Sequence, residues 1–214
     1  MLGCQFSAVL WQNQPGVRRH GVFMTIHIMP SCFAYLTLPT AALVACMSGS
    51  AEASEERWIM VDTVAHTLSV FTGQSLYHTY PRVALGRGGS ASERQIGNGV
   101  TPIGEFRVAW INRSSPFDVF FGLNFPNEEH TERAYQHHLI DIDTYYALRT
   151  ALSEGRLPPQ DTPLGGTIGI HGLGTGDLRI HRKYDWTKGC VALTNQEIEQ
   201  LAQWVQVGTR VVIR

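Results

Sequence analysis

Short strand patterns separated by turn signals dominate the chain from residue 55 onward. Alternating apolar and polar residues at 59–61 and 68–71 are followed by similar patterns in LYHTYPRVALG, EFRVAWI, GGTIGIHG and GTRVVIR. The longest turn region, GRGGSASERQIGNGVTPIGEF, is rich in Gly and Ser and is predicted to be a loop. Many short strands at this spacing bury their apolar faces in a mainly antiparallel sheet that packs as a sandwich or closes as a barrel. The sequence therefore predicts a mainly β fold.

Two segments replace the strand pattern with a helical one. The first ends near Gly155, ahead of two prolines, and predicts a helical insertion at about residues 131–160. Its apolar repeat consists of Leu139, Ile142, Tyr146, Leu148 and Ala151. The second, TNQEIEQLAQWV, predicts a C-terminal amphipathic helix with Thr194 or Asn195 as its N-cap.

The composition limits the number of domains and the class of partner. A chain of 214 residues with 43% hydrophobic content can bury one sizeable core, which favours one globular domain with additional segments. The formal net charge of −1 provides no long-range field for a polyanion. We therefore expect no nucleic-acid partner.

The first 53 residues differ from the rest and are interpreted as a signal or lipoprotein segment with a short linker. Between residues 22 and 45 there is no Asp, Glu, Lys or Arg, and Arg18 and Arg19 precede this apolar stretch. Its short apolar run ends in small residues, which is typical of a secretory signal rather than a membrane-spanning helix. Met24 is an alternative start for the same signal. Residues 54–214 then form the folded domain.

Two ways of processing this signal are visible, and an uncleaved anchor is a third. LVAC, which ends at Cys46, resembles the lipobox at which bacterial lipoproteins are cleaved and acylated on the cysteine. The alternative is ordinary signal cleavage after Ala53, in the small-x-small sequence AEA. Each alternative predicts an exported protein of the cell envelope or periplasm, held at the membrane by its signal or by a lipid on Cys46 unless the signal is removed.

Either cleavage leaves Cys190 without a disulfide partner. The chain has four cysteines, and the other three lie within the first 46 residues. An unpaired thiol in an oxidising compartment is a liability unless it is buried or used. Cys190 is therefore either a buried structural residue or a nucleophile.

The surroundings of Cys190 favour a nucleophile. His171 lies at the end of a predicted strand and Cys190 at the end of a later glycine-bearing turn, so the two can meet at one rim of a sheet. A neighbouring imidazole can take the thiol proton and lower the thiol pKa. Gly189 allows a sharp turn whose N–H groups can face a developing oxyanion, and Thr187 adds a hydroxyl to the same turn.

Other chemistries find less support in the sequence. A zinc site built from His171, His181 and Cys190 has suitable ligand types but lacks the paired spacing of zinc motifs. GRGGS lacks the Lys-Ser/Thr ending of a phosphate-binding loop. We expect neither a metal nor a cofactor, and we expect His130, His137 and His138 on the solvated face of the insertion.

The segment IHGLGTGDLRIHRKYDWTKGCVALTN resembles the signature of the L,D-transpeptidase catalytic domain, also called the YkuD-type domain. The matching positions are His171-Gly172, Thr187-Lys188-Gly189-Cys190 and Asn195. VDTVAHTLSVF, YPRVALG, GVTPIGEFRV and GLNFPNEEHTERA resemble other parts of that domain. The resemblance covers about residues 58–214 and implies a β-rich sandwich-like or barrel-like fold.

The resemblance also implies a reaction. Cys190 would be the nucleophile that a peptidoglycan stem peptide acylates at its diamino acid, with D-alanine as leaving group and a thioester as intermediate. His171 would be the base, and the backbone carbonyl of Gly172 would hold its imidazole. Transfer to an amine would make the protein an L,D-transpeptidase of cell-wall biogenesis, remodelling or degradation, and so of cell shape. Transfer to water would make it an L,D-carboxypeptidase or endopeptidase, and a catalytically silent wall-binding lipoprotein is the alternative without chemistry.

The sequence departs from the family pattern around the cysteine. Many members carry Ser-His-Gly-Cys followed two residues later by Arg, whereas this chain has Lys188 before the glycine and Ala192 at the later position. Arg179, Arg182 and Lys188 are the candidates to bind the donor carboxylate instead. The helical insertion is the candidate for a lid over the cleft.

Overall fold

The computed structural model describes residues 56–214. The predicted signal segment, both cleavage sites and Cys46 lie outside the described residues and stay predictions. Within residues 56–214, no helix has the length and apolar character needed to cross a bilayer.

The described part of the chain contains ten strands and four helices. The strands are β1 (Arg57–Asp62), β2 (Thr67–Thr72), β3 (Ser75–Tyr80), β4 (Ser90–Ala91), β5 (Thr101–Pro102), β6 (Gly104–Ser115), β7 (Asp118–Leu123), β8 (Gly169–His171), β9 (Val191–Ala192) and β10 (Arg210–Ile213). The helices are α1 (Glu128–Gln136), α2 (Ile142–Ser153), α3 (Leu178–Lys183) and α4 (Asn195–Leu201).

Eight of the strands form one large sheet in the order β3-β2-β1-β10-β6-β7-β8-β9, while β4 and β5 pair separately. The prediction of a mainly β fold with a helical insertion and a C-terminal helix is confirmed. The sheet is mixed, because β10 lies parallel to β1 and β9 lies parallel to β8. Parallel pairing requires a long connection, and both pairs have one. β1 and β10 are the first and last strands described, and residues 172–190 connect β8 to β9.

The central strands alternate as a half-buried sheet should. In β1, Ile59 and Val61 are buried and pair with Val211 and Ile213 of β10, which are also buried. Residues at every second position of a strand point to the same face, so these four side chains pack into one core. Phe106 of β6 belongs to the same apolar cluster.

The insertion forms two helices, α1 and α2, whereas the sequence predicted a single helical segment from one apolar repeat. Asn127 caps α1, and the Asp141 carboxylate caps α2 by accepting a hydrogen bond from the Thr144 N–H over 2.8 Å. Ala134 of α1 and Leu148 of α2 are buried in the main core. The insertion therefore packs against the sheet as part of the folded domain.

The prediction that His130 lies on the solvated face of the insertion is wrong. The residue is 4% exposed, and its Nε2 lies 3.1 Å from the Ile103 carbonyl oxygen. Because α1 is short and mostly polar, two of its three buried residues, His130 and Thr131, are polar, and the third is Ala134.

Candidate active site

The sheet ends in two parallel strands that carry His171 and Cys190 to the same edge. β8 ends at His171, and β9 begins at Val191, directly after Cys190. The register pairs Ile170 with Val191 and His171 with Ala192. The backbone pairing of β8 and β9 therefore places His171 beside the turn that ends in Cys190.

Thr187 fixes the conformation of that turn. Its hydroxyl donates to the Cys190 carbonyl oxygen over 2.7 Å and accepts from the Gly189 N–H over 3.0 Å. Its backbone N–H donates to the Leu85 carbonyl over 3.1 Å, and its carbonyl accepts from the Arg87 N–H over 3.0 Å. The predicted turn hydroxyl is thus buried between two segments of backbone, where it acts as a brace.

Glycine is required at position 189 because φ is +127° and the space is already filled. A Cβ atom there would lie 2.2 Å from Arg94 Nη1 and 2.6 Å from the Val100 carbonyl oxygen. The Gly189 N–H, predicted as an oxyanion donor, is occupied by the Thr187 hydroxyl. The Cys190 N–H, in contrast, has no acceptor within residues 56–214. An oxyanion at this turn would meet the Cys190 N–H without breaking a hydrogen bond.

The imidazole of His171 is held in one tautomer. His171 is 3% exposed, and its Nδ1 donates to the carbonyl oxygen of Gly172 over 2.6 Å. A carbonyl oxygen only accepts, so Nδ1 carries the proton and Nε2 keeps its lone pair. The rings of Phe117 and Trp186 pack on the imidazole, with centroids 4.6 Å and 5.9 Å away. His171 is thus oriented as a base that accepts a proton at Nε2.

His171 and Cys190 open into one cleft of about 820 Å³. Cys190 is half-buried at its floor, and its Sγ donates a long hydrogen bond of 3.5 Å to the Thr167 carbonyl oxygen. Aromatic rings and backbone from glycine-rich segments surround the pair; the lining includes Ile96, Gly97, Gly99, Phe117, Phe120, Gln160, Gly165, Gly166, Ile168 and Trp186. The cleft is large enough for a peptide-sized ligand.

Burial keeps both partners of the pair neutral at pH 7. It raises the pKa of the Cys190 thiol to about 11, while the Gly169 backbone and the Arg94 charge act in the opposite direction. Burial also lowers the pKa of His171, against the Gly172 carbonyl, which raises it. Burial therefore acts against the predicted lowering of the thiol pKa by His171. The physical reason is that loss of water penalises both thiolate and imidazolium, and within the described residues Sγ makes no hydrogen bond to the imidazole.

The structure brings one of the three predicted cations to the cleft. Lys188 lies in the lining, whereas Arg179 and Arg182 lie on α3, outside it. Arg179 is exposed and pairs with the Asp177 carboxylate over 2.9 Å. Both arginines are exposed on this helix, and neither belongs to the cleft lining.

Two cleft cations were missed by the sequence interpretation. Arg87 and Arg94 come from the glycine-rich loop and line the cleft with Cys190. Their positions depend on that loop folding back along the catalytic turn, where Gly86 is bridged to Thr187. The two arginines within GRGGSASERQIGNG were the visible signal, but their positions in the cleft and the burial of Arg94 depend on contacts distant in sequence.

Of the insertion predicted at about residues 131–160 as a lid, only Gln160 lines the cleft. No residue of α1 or α2 appears in its lining, which receives only the segment after α2, from Gln160 to Ile168. The Gln160 side chain holds this wall: its Oε1 accepts from the Thr167 N–H over 2.6 Å, and its Nε2 donates to the Phe125 carbonyl over 2.9 Å. The wall is fixed to the sheet by these bonds.

Within residues 56–214, no three His, Cys, Asp or Glu side chains are grouped closely enough to hold a metal ion. The alternative zinc site of His171, His181 and Cys190 therefore gains no support from the geometry. His181 is buried and contacts Trp186, whose Nε1 donates to His181 Nδ1 over 3.4 Å.

The family model of the L,D-transpeptidase catalytic domain, YkuD, matches residues 56–213. The match covers nearly all of the described domain, including the strands, the cleft and the catalytic turn. This chain belongs to the L,D-transpeptidase catalytic domain family, whose members act on peptidoglycan peptides.

Solved structures of the same fold come from several bacteria. Bd1075 of Bdellovibrio bacteriovorus is 20% identical with a TM-score of 0.50, and the match covers 77% of this chain and 50% of that one. The helical cell shape determining protein Pgp2 of Campylobacter jejuni is 19% identical with a TM-score of 0.47, over 75% of this chain and 49% of that one. An L,D-transpeptidase of Mycobacterium smegmatis is 13% identical with a TM-score of 0.42, over 74% and 58%.

The match to Bd1075 shows a shared fold and nothing finer. The match spans about half the length of Bd1075 and Pgp2. A comparison with curated protein sequences gave no match.

Proposed function

We propose that this protein is a cysteine acyltransferase that performs L,D-transpeptidation on peptidoglycan stem peptides, with Cys190 as nucleophile and His171 as base. One observation carries the proposal: a single cleft contains the thiol and an imidazole whose Nδ1 is fixed on the Gly172 carbonyl. A buried imidazole with its proton on Nδ1 presents a lone pair at Nε2, which is what removal of a thiol proton requires.

Acylation forms a thioester and releases an amine. Nε2 of His171 takes the proton from Sγ of Cys190, and the thiolate attacks the carbonyl carbon of the diamino acid in the donor stem. The Cys190 N–H stabilises the negative charge that develops on the carbonyl oxygen. The C–N bond then breaks, the imidazolium returns its proton to the leaving nitrogen, and D-alanine departs.

Deacylation restores the thiol. An acceptor amine loses its proton to Nε2 of His171 and attacks the thioester carbon, the C–S bond breaks, and the proton passes to Sγ. The product is a new amide that cross-links or remodels the wall. Water in place of the amine gives a free carboxylate, so the acceptor alone separates the transferase from the hydrolase.

The neutral resting pair fits this sequence of steps. Burial raises the pKa of the thiol and lowers that of the imidazole, which disfavours an ion pair before substrate arrives. A neutral His171 is nevertheless available as base across the physiological range. The proton moves only when an electrophilic carbonyl consumes the thiolate as it forms.

Mass spectrometry of products tests the proposal. The purified full-length protein is incubated with tetrapeptide stem fragments, with and without an acceptor stem. We expect loss of D-alanine, a transient adduct on Cys190 and a cross-linked product that appears only with the acceptor. Cys190→Ala and His171→Ala should form no product. Product formation by Cys190→Ala would overturn the proposal, and a D-alanine-free monomer as the sole product would assign the hydrolase instead.

The proposed substrate also requires export. We propose that the mature protein faces the cell wall and carries lipid on Cys46, as the sequence LVAC favours. The intact mass of protein purified from membranes tests this, with Cys46→Ser as the control that should lose the lipid. An unmodified N-terminus at Ser54 would instead assign ordinary signal cleavage.

A further inference from the structure

Arg94 is a buried cation without a carboxylate partner in the described domain. The residue is 6% exposed, and none of the ion pairs formed within residues 56–214 includes it. Arginine stays protonated in proteins even where burial lowers its pKa, as it does here. A buried charge with no counter-charge is costly, so a functional partner is expected.

Its contacts direct the guanidinium to the catalytic turn. Nη1 donates to the Lys188 carbonyl oxygen over 3.0 Å and to the Val100 carbonyl oxygen over 2.5 Å. The same Nη1 lies 2.2 Å from the place where a Cβ on Gly189 would stand, so the cation lies directly against the residue that precedes Cys190.

Part of the guanidinium has no hydrogen-bond acceptor. Nε is buried and unpartnered, and Nη2 makes no hydrogen bond to any described residue. Nη2 lies 3.4 Å from the position of a Cβ on Gly165, which is part of the cleft wall. Carbonyl oxygens therefore hold one end of the side chain, and the Phe125 ring lies 6.0 Å from the guanidinium carbon, but no anion of the described residues balances its charge beside the cleft.

The other charges of the cleft are less suited to balance an anion on Cys190. Arg87 and Lys188 also line it, but both are exposed, and water and salt screen their fields. His171 is kept neutral by burial, and His181 behind it lowers its pKa further. No Asp or Glu belongs to the cleft lining that the described residues form.

We propose that Arg94 is the permanent counter-cation of the Cys190 thiolate that forms during the reaction. It acts through the electric field and through its hold on the Lys188 carbonyl, and it is a positioning residue rather than one that contacts the reacting carbonyl. The proposal assigns a standing positive charge to a residue of the glycine-rich loop, whereas His171 is charged only while it holds the proton taken from Sγ. It deepens the proposed function, because a thiolate is needed only if Cys190 is a nucleophile.

A pair of substitutions separates the charge of Arg94 from its hydrogen bonds. Arg94→Lys keeps the charge and loses the branched donor, whereas Arg94→Gln keeps an N–H donor and loses the charge. Alkylation of Cys190 by iodoacetamide at fixed alkaline pH, together with the thiolate absorbance relative to Cys190→Ala, measures the thiolate fraction without any substrate. We expect Arg94→Gln to slow alkylation roughly tenfold and Arg94→Lys to stay close to wild type.

Arg87→Gln is the matched control, because it removes an exposed arginine from the same cleft and should leave the thiol titration unchanged. Circular dichroism and the melting temperature show whether each variant is folded. An unchanged thiolate fraction in folded Arg94→Gln would overturn the proposal, as would equal losses in the Lys and Gln variants.

A second measurement replaces the thiol by a carboxylate and so does not depend on alkylation rates. Cys190→Asp puts a carboxylate at the nucleophile's position, and Cys190→Asn is its uncharged match. Burial disfavours an anion there and the Arg94 charge opposes this, so between pH 3 and 7 Cys190→Asp should lose less stability relative to Cys190→Asn with Arg94 or Arg94→Lys than with Arg94→Gln. An equal loss in all three backgrounds would overturn the proposal. Neither measurement involves peptidoglycan, so both can fail while the stem-peptide reaction stands, and the reverse also holds.

Discussion

The Thr187 hydroxyl donates a hydrogen bond of 2.7 Å to the carbonyl oxygen of Cys190, three residues further along the chain. The Thr187 hydroxyl oxygen also accepts a hydrogen bond from the Gly189 N–H, so one buried side chain satisfies two backbone groups of the turn. Backbone polar groups removed from water must be paired, and here a single threonine pairs them. The position of the proposed nucleophile therefore depends on the hydrogen bonds of the Thr187 side chain.

Replacing Thr187 by Val should weaken both folding and catalysis. The substitution preserves shape but leaves the Cys190 carbonyl and the Gly189 N–H without partners, at a cost of about 1–3 kcal/mol in the free energy of unfolding. Chemical denaturation measures the stability, and the stem-peptide assay measures kcat. Thr187→Ser retains the hydroxyl and should recover most of both. Equal stability of the Val and Ser variants would show that the hydroxyl is not the brace.

Gly189→Ala should reduce stability and turnover more than an alanine at Gly208, another glycine with positive φ. Both Gly189 and Gly208 have positive φ, +127° and +94°, but a Cβ on Gly208 meets nothing within 4 Å, whereas one on Gly189 overlaps Arg94 and the Val100 carbonyl. Backbone strain alone costs on the order of 1–3 kcal/mol. We expect Gly208→Ala to show this cost with normal activity, and Gly189→Ala to lose further stability and turnover. Similar melting temperatures and kcat values for the two variants would contradict the overlap.

Local sequence patterns were sufficient to predict much of the fold. The strands around Ile59 and Leu68 and the N-cap at Thr194 depend on residues a few positions apart, and the structure has them, although burial in β2 does not alternate because Ser69 is buried as well as Leu68 and Val70. The mixed character of the sheet was not predicted, because the parallel pairing of β1 with β10 joins the two ends of the domain. Sequence periodicity reports which face is buried but not which strand lies next to it.

The site likewise contains residues that local sequence predicted and residues that it did not. The motif carrying His171 and Cys190 was visible because both residues lie at strand ends within a short stretch, and the structure brings them to one cleft. Arg94 was not visible as a site residue, because its burial arises from the fold of a loop nearly a hundred residues before the cysteine. Arg179 was favoured by proximity in sequence, but a helix directs it to solvent.

Thr194→Ala should destabilise the domain through α4. The Thr194 hydroxyl accepts from the Glu197 N–H, and the Glu197 carboxylate accepts from the Thr194 N–H over 2.9 Å, which completes a capping box. Ile198 and Leu201 of this helix are fully buried, so fraying is transmitted to the core. We expect a loss of about 1 kcal/mol in the free energy of unfolding. Thr194→Ser should behave as wild type, and an alanine variant of wild-type stability would show that the cap contributes nothing.

The pH profile of turnover should extend into mildly acidic solution. The acidic limb reports protonation of His171, whose pKa is lowered by burial, and the alkaline limb reports a thiol with a pKa of about 11. Activity should therefore persist below pH 6.5 and decline only as the imidazole becomes charged. Measurement of kcat/KM between pH 4 and 10 checks this. An acidic limb above pH 7 would show that His171 is more basic than its buried position implies.

The free energy of unfolding should also decrease as the pH is lowered, because His130 is buried as a neutral imidazole. Burial lowers its pKa in the folded protein to about 4, whereas an unfolded histidine titrates near 6.5. Between these values the unfolded chain binds a proton that the folded chain does not, so the free energy of unfolding decreases as pH drops from about 6.5 to about 4, by up to roughly 3 kcal/mol. His171 and His181, whose pKa values burial also lowers, act in the same direction. Urea denaturation at several pH values measures the slope.

The variant His130→Gln isolates the share of that slope due to His130. It keeps a polar side chain near the Ile103 carbonyl but removes the titrating group, so its stability should depend less steeply on pH even if its stability at pH 7 is lower. The comparison uses the slope rather than the absolute stability, because the substitution also alters packing against Phe106 and Phe125. A slope identical to that of the wild type would mean that His130 binds its proton equally in both states, contrary to its burial.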